Sequence, residues 1–407
     1  MRRLLFLLLV CLLCPEVQAT VINVPLDQPT IQNGIDAAVH GDTVLVDIGT
    51  YVENIDFLGK NIVVGSNFLV TNDTAYIFQT IIDGNQNSIV VKLDDGVDST
   101  CHLCGFTLKN SHIGIYCGGL SSPIISHCLI TENEALSHFD VGVGITITDA
   151  SPIIKNCAIF NNSERAGIFG RGWGIQSDGY NYNVPKIINT AIAWNPDLSG
   201  GGFASSSQSF PVLINCIIWN NNTVSIDSVG NLPVVVFSDI EGGWQGQGNI
   251  NLDPKFFDPE NGNFNLSPDS PCIDTGTPFY VNDGDTVLNL PSSAYHGSAP
   301  DMGVFESPYT LVNGDESAVP NQFSLFQNYP NPFNSSTTFT FNLPNASSVN
   351  LSVYNSLGQL VKTLVNEQLP YGQHRVTWNA GEFSSGVYIY RITIETYSAT
   401  RKCLLLK

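Results

Sequence analysis

The octapeptide Pro123-Ile-Ile-Ser-His-Cys128-Leu-Ile130 returns along the chain with its main positions kept. It recurs as Pro152-Ile-Ile-Lys-Asn-Cys157-Ala-Ile159, and looser copies begin at Pro185, Pro211 and Pro233. In every copy a small or thiol side chain stands five residues after the proline, and an isoleucine stands seven after it. The copies start 22 to 33 residues apart, so a fixed strand alternates with loops of variable length. This spacing predicts a solenoid in which each coil buries its face against its neighbours.

A second row of copies leads to the same conclusion. Gly-Ile or Gly-Phe pairs recur 28 to 30 residues apart, at Gly114, Gly144, Gly174 and Gly202. No helical period lies between the two rows, which favours a parallel β-helix over leucine-rich or helical repeats. Residues 43–245 are expected to form roughly eight coils stacked at the strand spacing. Left-handed backbone dihedrals are expected at the asparagines that close the repeated phrase, namely Asn161, Asn195 and Asn220.

The N-terminus has the pattern of a secretory signal peptide. A basic start precedes the apolar run Leu4–Leu13, and small residues define a cleavage site between Ala19 and Thr20. Because the apolar run is too short for a membrane anchor, we expect residues 1–19 to be removed and the protein to be exported. Apolar residues at helical spacing between residues 27 and 40 predict a short amphipathic helix that caps the first coil.

Composition excludes two classes of partner. The chain has 36 acidic and 16 basic residues, for a net charge of −20. Proteins that bind nucleic acid or anionic membrane surfaces need basic patches, so neither partner is expected.

The cysteines that follow the signal peptide keep the period of the coils. Cys104, Cys128, Cys157 and Cys216 are expected to share one position, which favours a ladder of buried thiols. Disulfides between neighbouring coils remain open, since stacked strands lie about 4.8 Å apart. The short spacing from Cys101 to Cys104 lacks a matching Cys or His pair, so no metal site or cofactor is predicted there.

Residues 21–306 resemble the pectin-lyase-like β-helix proteins. The resemblance rests on residues 29–65, on the Ser-Pro-x-Ile-x-x-Cys coils, and on a closing segment with Asn249–Phe257, Ser270–Gly276 and Asp301–Glu306. It implies an all-β fold, a right-handed parallel β-helix over residues 20–306 with an N-terminal helix and a C-terminal cap. It implies little about activity, because this scaffold carries many functions.

A second domain is predicted after a linker at residues 307–322. Residues 323–407 show two-residue alternation in six or seven short strands, which is typical of a small Ig-like antiparallel β-sandwich. They resemble the type A C-terminal sorting domain of the type IX secretion system, which implies handling by that machinery and a secreted or cell-surface location. The residues that carry this resemblance are Pro330, Asn331, Pro332, Phe333, Gly358, Gly386, Tyr388, Lys402 and Lys407.

The candidate ligand site lies in the longest coil. Its cations can bind carboxylate or sulfate groups, and its aromatic rings can stack on sugars. The alternative is a long loop whose rings pack on their own coil. The residues concerned are Arg165, Arg171, Trp173, Asp178, Tyr180 and Tyr182.

Catalytic and calcium signals are weaker. Asp239 and Glu241 flank Ile240 and are expected to point to solvent together, and Glu132 and Glu134 form a second such pair. The spacing within each pair suits the two carboxylates of glycoside hydrolysis. Neither pair has a histidine, lysine or arginine in phase, so solvated surface is the favoured interpretation. Asp283 and Asp285 could offer oxygens to Ca²⁺, but a structural turn is favoured because the loop lacks the EF-hand pattern.

Two functions therefore remain open. The first is a non-catalytic adhesion or glycan-binding scaffold. The second is a divergent polysaccharide lyase or glycoside hydrolase that acts on acidic polysaccharide. No residue is assigned to catalysis.

Overall fold

Most coils of the N-terminal unit, Met1–Leu311, contribute a strand to each of three parallel sheets. The computed structural model describes residues 19–135, 143–164, 174–195, 201–221, 224–310, 323–328, 330–343, 347–369, 372–394 and 397–406. Within these residues sheet A has nine strands, sheet B has eight and sheet C has seven. The predicted all-β solenoid is confirmed, with about seven turns.

The strands are short, and those of each sheet follow one another in chain order. Sheet A contains Val21–Val24, Thr43–Val46, Val63–Ser66, His102–Cys104, Ile124–Ser126, Ile153–Lys155, Lys186–Ile188, Val212–Ile214 and Val234–Val236. Sheet B contains Gly49–Val52, Thr80–Asp83, Thr107–Lys109, Leu129–Thr131, Ala158–Phe160, Ala191–Ala193, Ile217–Trp219 and Asp239–Ile240. Sheet C contains Ile55–Asp56, Ile89–Leu93, Ile113–Cys117, Ile145–Thr148, Ile175–Asp178, Gly201–Ser207 and Val224–Gly230. A small parallel pair joins Glu134–Ala135 to Ser163–Glu164.

Single left-handed residues turn the chain at the corners of the solenoid. Between sheets A and B these residues are His127, Asn156, Asn189, Asn215 and Phe237, with φ between 47° and 54°. After sheet B, Asn161 and Asn220 have φ of 53° and 54°, as predicted. The prediction for Asn195 is wrong, because the preceding Trp194 takes the left-handed conformation with φ of 52°. Trp194 is equivalent to Asn161, because Ala193 pairs with Phe160, so the bend keeps its position and Asn195 follows it by one residue.

Asn195 belongs instead to a row of buried asparagines inside the solenoid. The side-chain amide of Asn133 donates to Oδ1 of Asn162, Asn162 donates to Asn195, and Asn195 donates to Asn221, at 3.0, 3.0 and 2.9 Å. Each amide also donates to main-chain carbonyls, as Asn162 does to those of Ile130 and Phe160. We call these four residues the asparagine ladder. It satisfies polar groups that have no access to water.

The repeated glycines stand beside this ladder. A Cβ atom on Gly144 would lie 2.4 Å from the carbonyl oxygen of Gly174 and 2.5 Å from Cγ2 of Ile159. Any larger residue would push neighbouring coils apart, which explains why the second repeat begins with glycine.

The thiol ladder is confirmed in part. Cys128, Cys157 and Cys216 are fully buried and point into the core, and Thr190 and Ser238 fill the other coils. All cysteines from Cys101 to Cys403 are free thiols.

The assignment of Cys104 to this ladder is wrong. Cys104 pairs in register with Ser126 and points out of the solenoid. Phe106 directly precedes Thr107, and Thr107 pairs with Leu129, so Phe106 is equivalent to Cys128. Phe106 therefore takes the place of the ladder in that coil.

Helices cover the first coils. The predicted amphipathic helix α1, Ile31–Ala37, buries Ile31 and Ile35 in the core, and Thr30 caps its N-terminus by accepting a hydrogen bond from the Asn33 backbone N–H. Two further short helices, α2 at Phe68–Thr71 and α3 at Ala75–Gln79, were not predicted. They pack Phe68 and Ile77 against the outer side of the solenoid.

The segment after the last coil runs back along the solenoid. It contains the antiparallel pairs Phe256–Asp258 with Asn263–Leu266 and Phe279–Asn282 with Asp285–Asn289, and the 3₁₀ turns Pro259–Asn261 and Ser292–Ala294. Asn161 and Asn156 donate to the carbonyls of Glu260 and Val304, which fixes this segment to earlier coils. Because it covers a flank as well as the end, we call residues 250–310 the covering segment.

The C-terminal unit, Val312–Lys407, consists of two antiparallel sheets. One contains Ser324–Leu325, Ser336–Leu343 and Gly372–Asn379, and the other contains Leu360–Leu369, Ser347–Asn355, Gly386–Ile394 and Tyr397–Leu405 in that spatial order. Phe339, Phe341, Trp378 and Tyr390 form its centre.

Candidate functional site

The outer face of the middle strands of sheet B is covered in the described part of the chain. Outward-pointing Phe160, Ala191 and Ala193 are buried against Phe264 and Val304 of the covering segment. At the other end of the sheet, the Thr107 hydroxyl donates to the carbonyl of Ile77 in α3 at 2.8 Å. The covering segment likewise buries outward-pointing Ile188, Val212 and Ile214 of sheet A against Leu288.

Asp239 lies beneath the covering segment, so the expectation that it points to solvent is wrong. Its Oδ1 accepts a hydrogen bond from the Leu252 backbone N–H at 3.1 Å, and Oδ2 lies 3.2 Å from Sγ of Cys272. Burial raises the pKa of Asp239 to about 6. The side chain does point away from Ile240, but residues distant in sequence then pack over it.

The remaining predicted carboxylates are exposed, and two of them have partners on neighbouring coils. Glu241 accepts a hydrogen bond from the backbone N–H of Asn220 at 2.6 Å. Glu132 forms an ion pair with Lys109 at 3.1 Å, and Glu134 is exposed. Asp239 and Glu241 therefore do not present two carboxylates to one ligand.

Half of the predicted ligand stretch lies outside the described residues, namely Arg165, Arg171 and Trp173. Asp178 is described and ends a strand of sheet C. Its carboxylate accepts hydrogen bonds from the side chains of Gln176 and Ser206. Asp178 is thus tied to the sheet rather than extended into a loop.

Tyr180 and Tyr182 project from the turn between sheets C and A. Tyr180 is 93% exposed and Tyr182 is 69% exposed, although the latter ring packs on Phe210 with centroids 4.7 Å apart. The Asp149 carboxylate of the preceding coil accepts hydrogen bonds from the backbone N–H groups of Tyr180 and Asn181, both at 2.7 Å. The turn is therefore fixed while its two rings stay accessible.

Sheet C also has a charged group at its opposite end. Lys92 forms ion pairs with Asp56 at 3.2 Å and Asp94 at 2.7 Å, which raise its pKa. A depression of about 160 Å³ lies beside it, lined by Asn54, Ile55, Asp56, Asn87, Ser88, Ile89 and Lys92. The lysine is held as a cation and does not have a free lone pair for general-base chemistry.

Asp283 and Asp285 lie at the tip of the antiparallel pair Phe279–Asn282 and Asp285–Asn289. Asp283 has a left-handed φ of 48°, and its carboxylate accepts a hydrogen bond from the Asn282 side chain at 3.3 Å. This geometry is that of a tight turn. Among the residues the structure describes, no group of three or more His, Cys, Asp and Glu side chains could hold a metal ion.

In the C-terminal unit, the predicted motif holds the last strand. Leu404 donates to Oδ1 of Asn331 at 2.8 Å, and the backbone of Phe333 exchanges hydrogen bonds of 2.9 Å with Leu404 and Leu406. The Phe333 ring is buried, with its centroid 5.6 Å from that of Trp378. These contacts, which we call the terminal-strand clamp, bring residues far apart in sequence together.

The other motif residues have separate places. Gly358 turns the chain with φ of 77°, Gly386 begins a strand, and Tyr388 is buried while its hydroxyl donates to the carbonyl of Ser384. Pro330 and Lys402 are exposed, and Pro332 is partly buried. Lys407 lies outside the described residues.

Comparison with known families agrees with both units. Residues 66–237 match the family described as the right handed beta helix region. Residues 327–406 match the family described as the secretion system C-terminal sorting domain. The chain is a right-handed parallel β-helix protein with a type IX sorting tail.

The sorting tail indicates that this β-helix protein is secreted or displayed on the cell surface by the type IX system. No described helix has both the length and the apolar character needed to cross a bilayer.

Among solved structures, the β-helix protein is similar to the enzymatically active domain of tailspike protein 4 from bacteriophage CBA120. The identity is 12%, the TM-score is 0.26, and the match covers 90% of this chain and 60% of the tailspike domain. This likeness carries no argument about activity. No curated protein matches the chain.

Proposed function

We propose that the solenoid is a non-catalytic, glycan-binding scaffold that the sorting tail delivers to the cell exterior. The observation that carries this proposal is the pair of accessible rings, Tyr180 and Tyr182, on a turn fixed by Asp149. Aromatic rings with one accessible face stack on sugars, and a fixed turn lowers the entropic cost of binding. An extended solenoid provides such a turn with a rigid support.

The placement of perturbed carboxylates supports binding over catalysis. Burial raises the pKa of Asp239 and Asp301 to about 6 and that of Glu306 to about 7. All three accept backbone hydrogen bonds within or beneath the covering segment. A raised carboxyl pKa suits a general acid, but these groups stabilise the fold of that segment instead.

The test is binding of the full chain to uncharged and acidic polysaccharides, measured by calorimetry. Tyr180→Ala combined with Tyr182→Ala is expected to weaken binding at least tenfold. Phe279→Ala, which removes another exposed ring at 53% exposure, is the matched control and should change affinity less than twofold. Equal binding by both variants would exclude the tyrosine turn as the glycan site.

The alternative is a divergent polysaccharide lyase or glycoside hydrolase. Incubation of the full chain with pectate, alginate and sulfated glycans distinguishes the two functions. Release of reducing ends or unsaturated uronate, abolished by Arg171→Ala, would replace the binding function with catalysis.

A further inference from the structure

Three carboxylates are buried among the residues that the structure describes, namely Asp42, Asp239 and Asp301. Burial raises the pKa of Asp239 and Asp301 to about 6, which favours their neutral forms. Asp42 differs, because hydrogen bonds from the backbone N–H groups of Val39 and Thr20 lower its pKa. Asp42 therefore stays ionised although it is only 3% exposed.

The carboxylate of Asp42 lies at the start of the first coil. Its Oδ2 accepts a hydrogen bond from the Val39 backbone N–H at 2.8 Å. Its Oδ1 accepts from the backbone N–H of Thr20 at 2.8 Å and from the Thr20 hydroxyl at 2.9 Å. Both donor groups of Thr20 therefore converge on one carboxylate oxygen.

No ion pair joins Asp42 to a cation within the described part of the chain. The ammonium group of Lys60 donates to two carbonyls at the end of α1. His40 accepts a hydrogen bond from the Asn61 backbone N–H at Nδ1, which requires the neutral ring. Because an ionised carboxylate is costly to bury without an opposite charge, a cation is expected beside Asp42.

The predicted cleavage site between Ala19 and Thr20 would supply this cation. Hydrolysis adds water across that peptide bond, so the new carboxylate remains on Ala19 and the new amine remains on Thr20. An α-amine is mostly protonated at neutral pH. The nitrogen concerned already lies 2.8 Å from Oδ1 of Asp42, so the hydrogen bond becomes an ion pair without a rearrangement of the backbone.

The strand that follows Thr20 forms the open edge of sheet A. Val21–Val24 pairs with Thr43–Val46 on one side, and no other described strand pairs with it. The carbonyl of Thr20 accepts a hydrogen bond from the Thr43 backbone N–H at 2.8 Å, so Thr20 extends the ladder by one residue. Chain ends fray unless they are tied down, and an ion pair at Thr20 would hold the edge strand at its first residue.

We propose that Asp42 is the binding site for the processed N-terminus of this protein. Removal of residues 1–19 creates the α-ammonium group of Thr20, which pairs with the Asp42 carboxylate and fixes the edge strand. The uncleaved chain offers only an amide at this position, so the buried carboxylate has no cation until processing occurs. Signal-peptide removal and completion of the first coil are therefore coupled, independently of glycan binding.

The first measurement is the N-terminal sequence of the exported protein, which is expected to begin with Thr20. The second measurement compares two chains that differ by one residue, one beginning at Thr20 and the other at Ala19, both ending at Lys407. The two chains have the same net charge. In the longer chain the ammonium group is displaced by one residue, about 3.8 Å, and an amide takes its place beside Asp42.

Hydrogen exchange of residues 20–46, followed by mass spectrometry, reports on the edge strand and its partner. Exchange is expected to be about fivefold slower in the chain that begins at Thr20. Asp42→Asn should abolish this difference, because asparagine keeps an acceptor oxygen but has no charge. Asp36→Asn, at an exposed carboxylate of α1, is the matched control and should leave the difference unchanged. Circular dichroism confirms that each variant folds.

Equal exchange in the two parent chains would overturn the proposal, since the position of the ammonium group would then have no effect. A difference that persists in Asp42→Asn would also overturn it, because the amine would then act on another group. Loss of the difference in both aspartate variants would reflect net charge alone. An exported protein that begins at a residue other than Thr20 would place its amine away from Asp42 and would exclude the pair.

Discussion

The side-chain amide of Asn162 donates a hydrogen bond of 3.0 Å to Oδ1 of Asn195 in the next coil. Oδ1 of Asn162 in turn accepts from the amide of Asn133 at 3.0 Å. One side chain therefore joins three coils through groups that have no access to water. Loss of either partner leaves a buried donor or acceptor without a hydrogen bond.

Replacement of Asn162 by alanine is expected to lower the free energy of unfolding by about 2–4 kcal/mol, because several buried polar groups lose their partners. The measurement is urea denaturation followed by circular dichroism. Asn265→Ala, at an exposed position, is the control and should cost less than about 0.5 kcal/mol. Similar midpoints for the two variants would contradict a structural role for the asparagine ladder.

The thiols of the solenoid are expected to be unreactive while the protein is folded. Burial raises the pKa of Cys101 and Cys216 to about 12 and that of Cys104 to about 11, so almost no thiolate forms at neutral pH. Ellman's reagent should label them only after denaturant is added. Rapid labelling of the native protein, or a disulfide between Cys128 and Cys157 found by mass spectrometry, would refute this expectation.

Asp239 is expected to make the solenoid less stable as the pH rises. Its pKa is raised from 3.8 to about 6 in the folded protein, so its stabilising contribution is complete below pH 4 and is lost as the pH rises through 6. The loss amounts to at most about 3 kcal/mol. Nearby Asp253 and Glu241 add to the shift.

Asp239→Asn isolates this contribution from that of the histidines, whose lowered pKa values act in the opposite direction. Denaturation of both proteins between pH 4 and pH 7 should show the parent losing stability relative to the variant as the pH increases. A constant difference across that range would mean that Asp239 does not titrate as its burial implies.

Export is expected to depend on the terminal-strand clamp. Removal of residues 323–407 should retain the protein in the periplasm, since the tail is its sorting signal. Phe333→Ala should have the same effect, because loss of this buried ring destabilises the tail by about 3–5 kcal/mol. Leu357→Ala, at a side chain 81% exposed, should be exported normally. Cell fractionation with immunoblotting measures the outcome, and normal export of the truncated protein would contradict the sorting role.

Local periodicity allowed most of the solenoid to be predicted. The isoleucines seven residues after each proline all lie in the core, because strand alternation alone decides which way they point. Cys104 was misplaced because its coil lacks the proline that marks the phase in later coils. The spacing between cysteines alone does not show which of them points into the core.

Long-range contacts account for the remaining differences. The burial of Asp239 depends on Leu252 and Cys272, which no repeat relates to it. Lys92 pairs with Asp56 and Lys109 pairs with Glu132 across neighbouring coils, and these contacts become visible only once the register is known. A local pattern contains no information about which charges remain unpaired.

The position of the covering segment in the chain has a consequence for folding during export. The side chains that bury the outer face of sheet B, such as Phe264 and Val304, follow the last coil and precede the sorting tail. A chain that crosses a membrane from its N-terminus therefore exposes the apolar outer face of sheet B until nearly all residues before the sorting tail have emerged. During that interval the exposed flank makes the chain prone to aggregation.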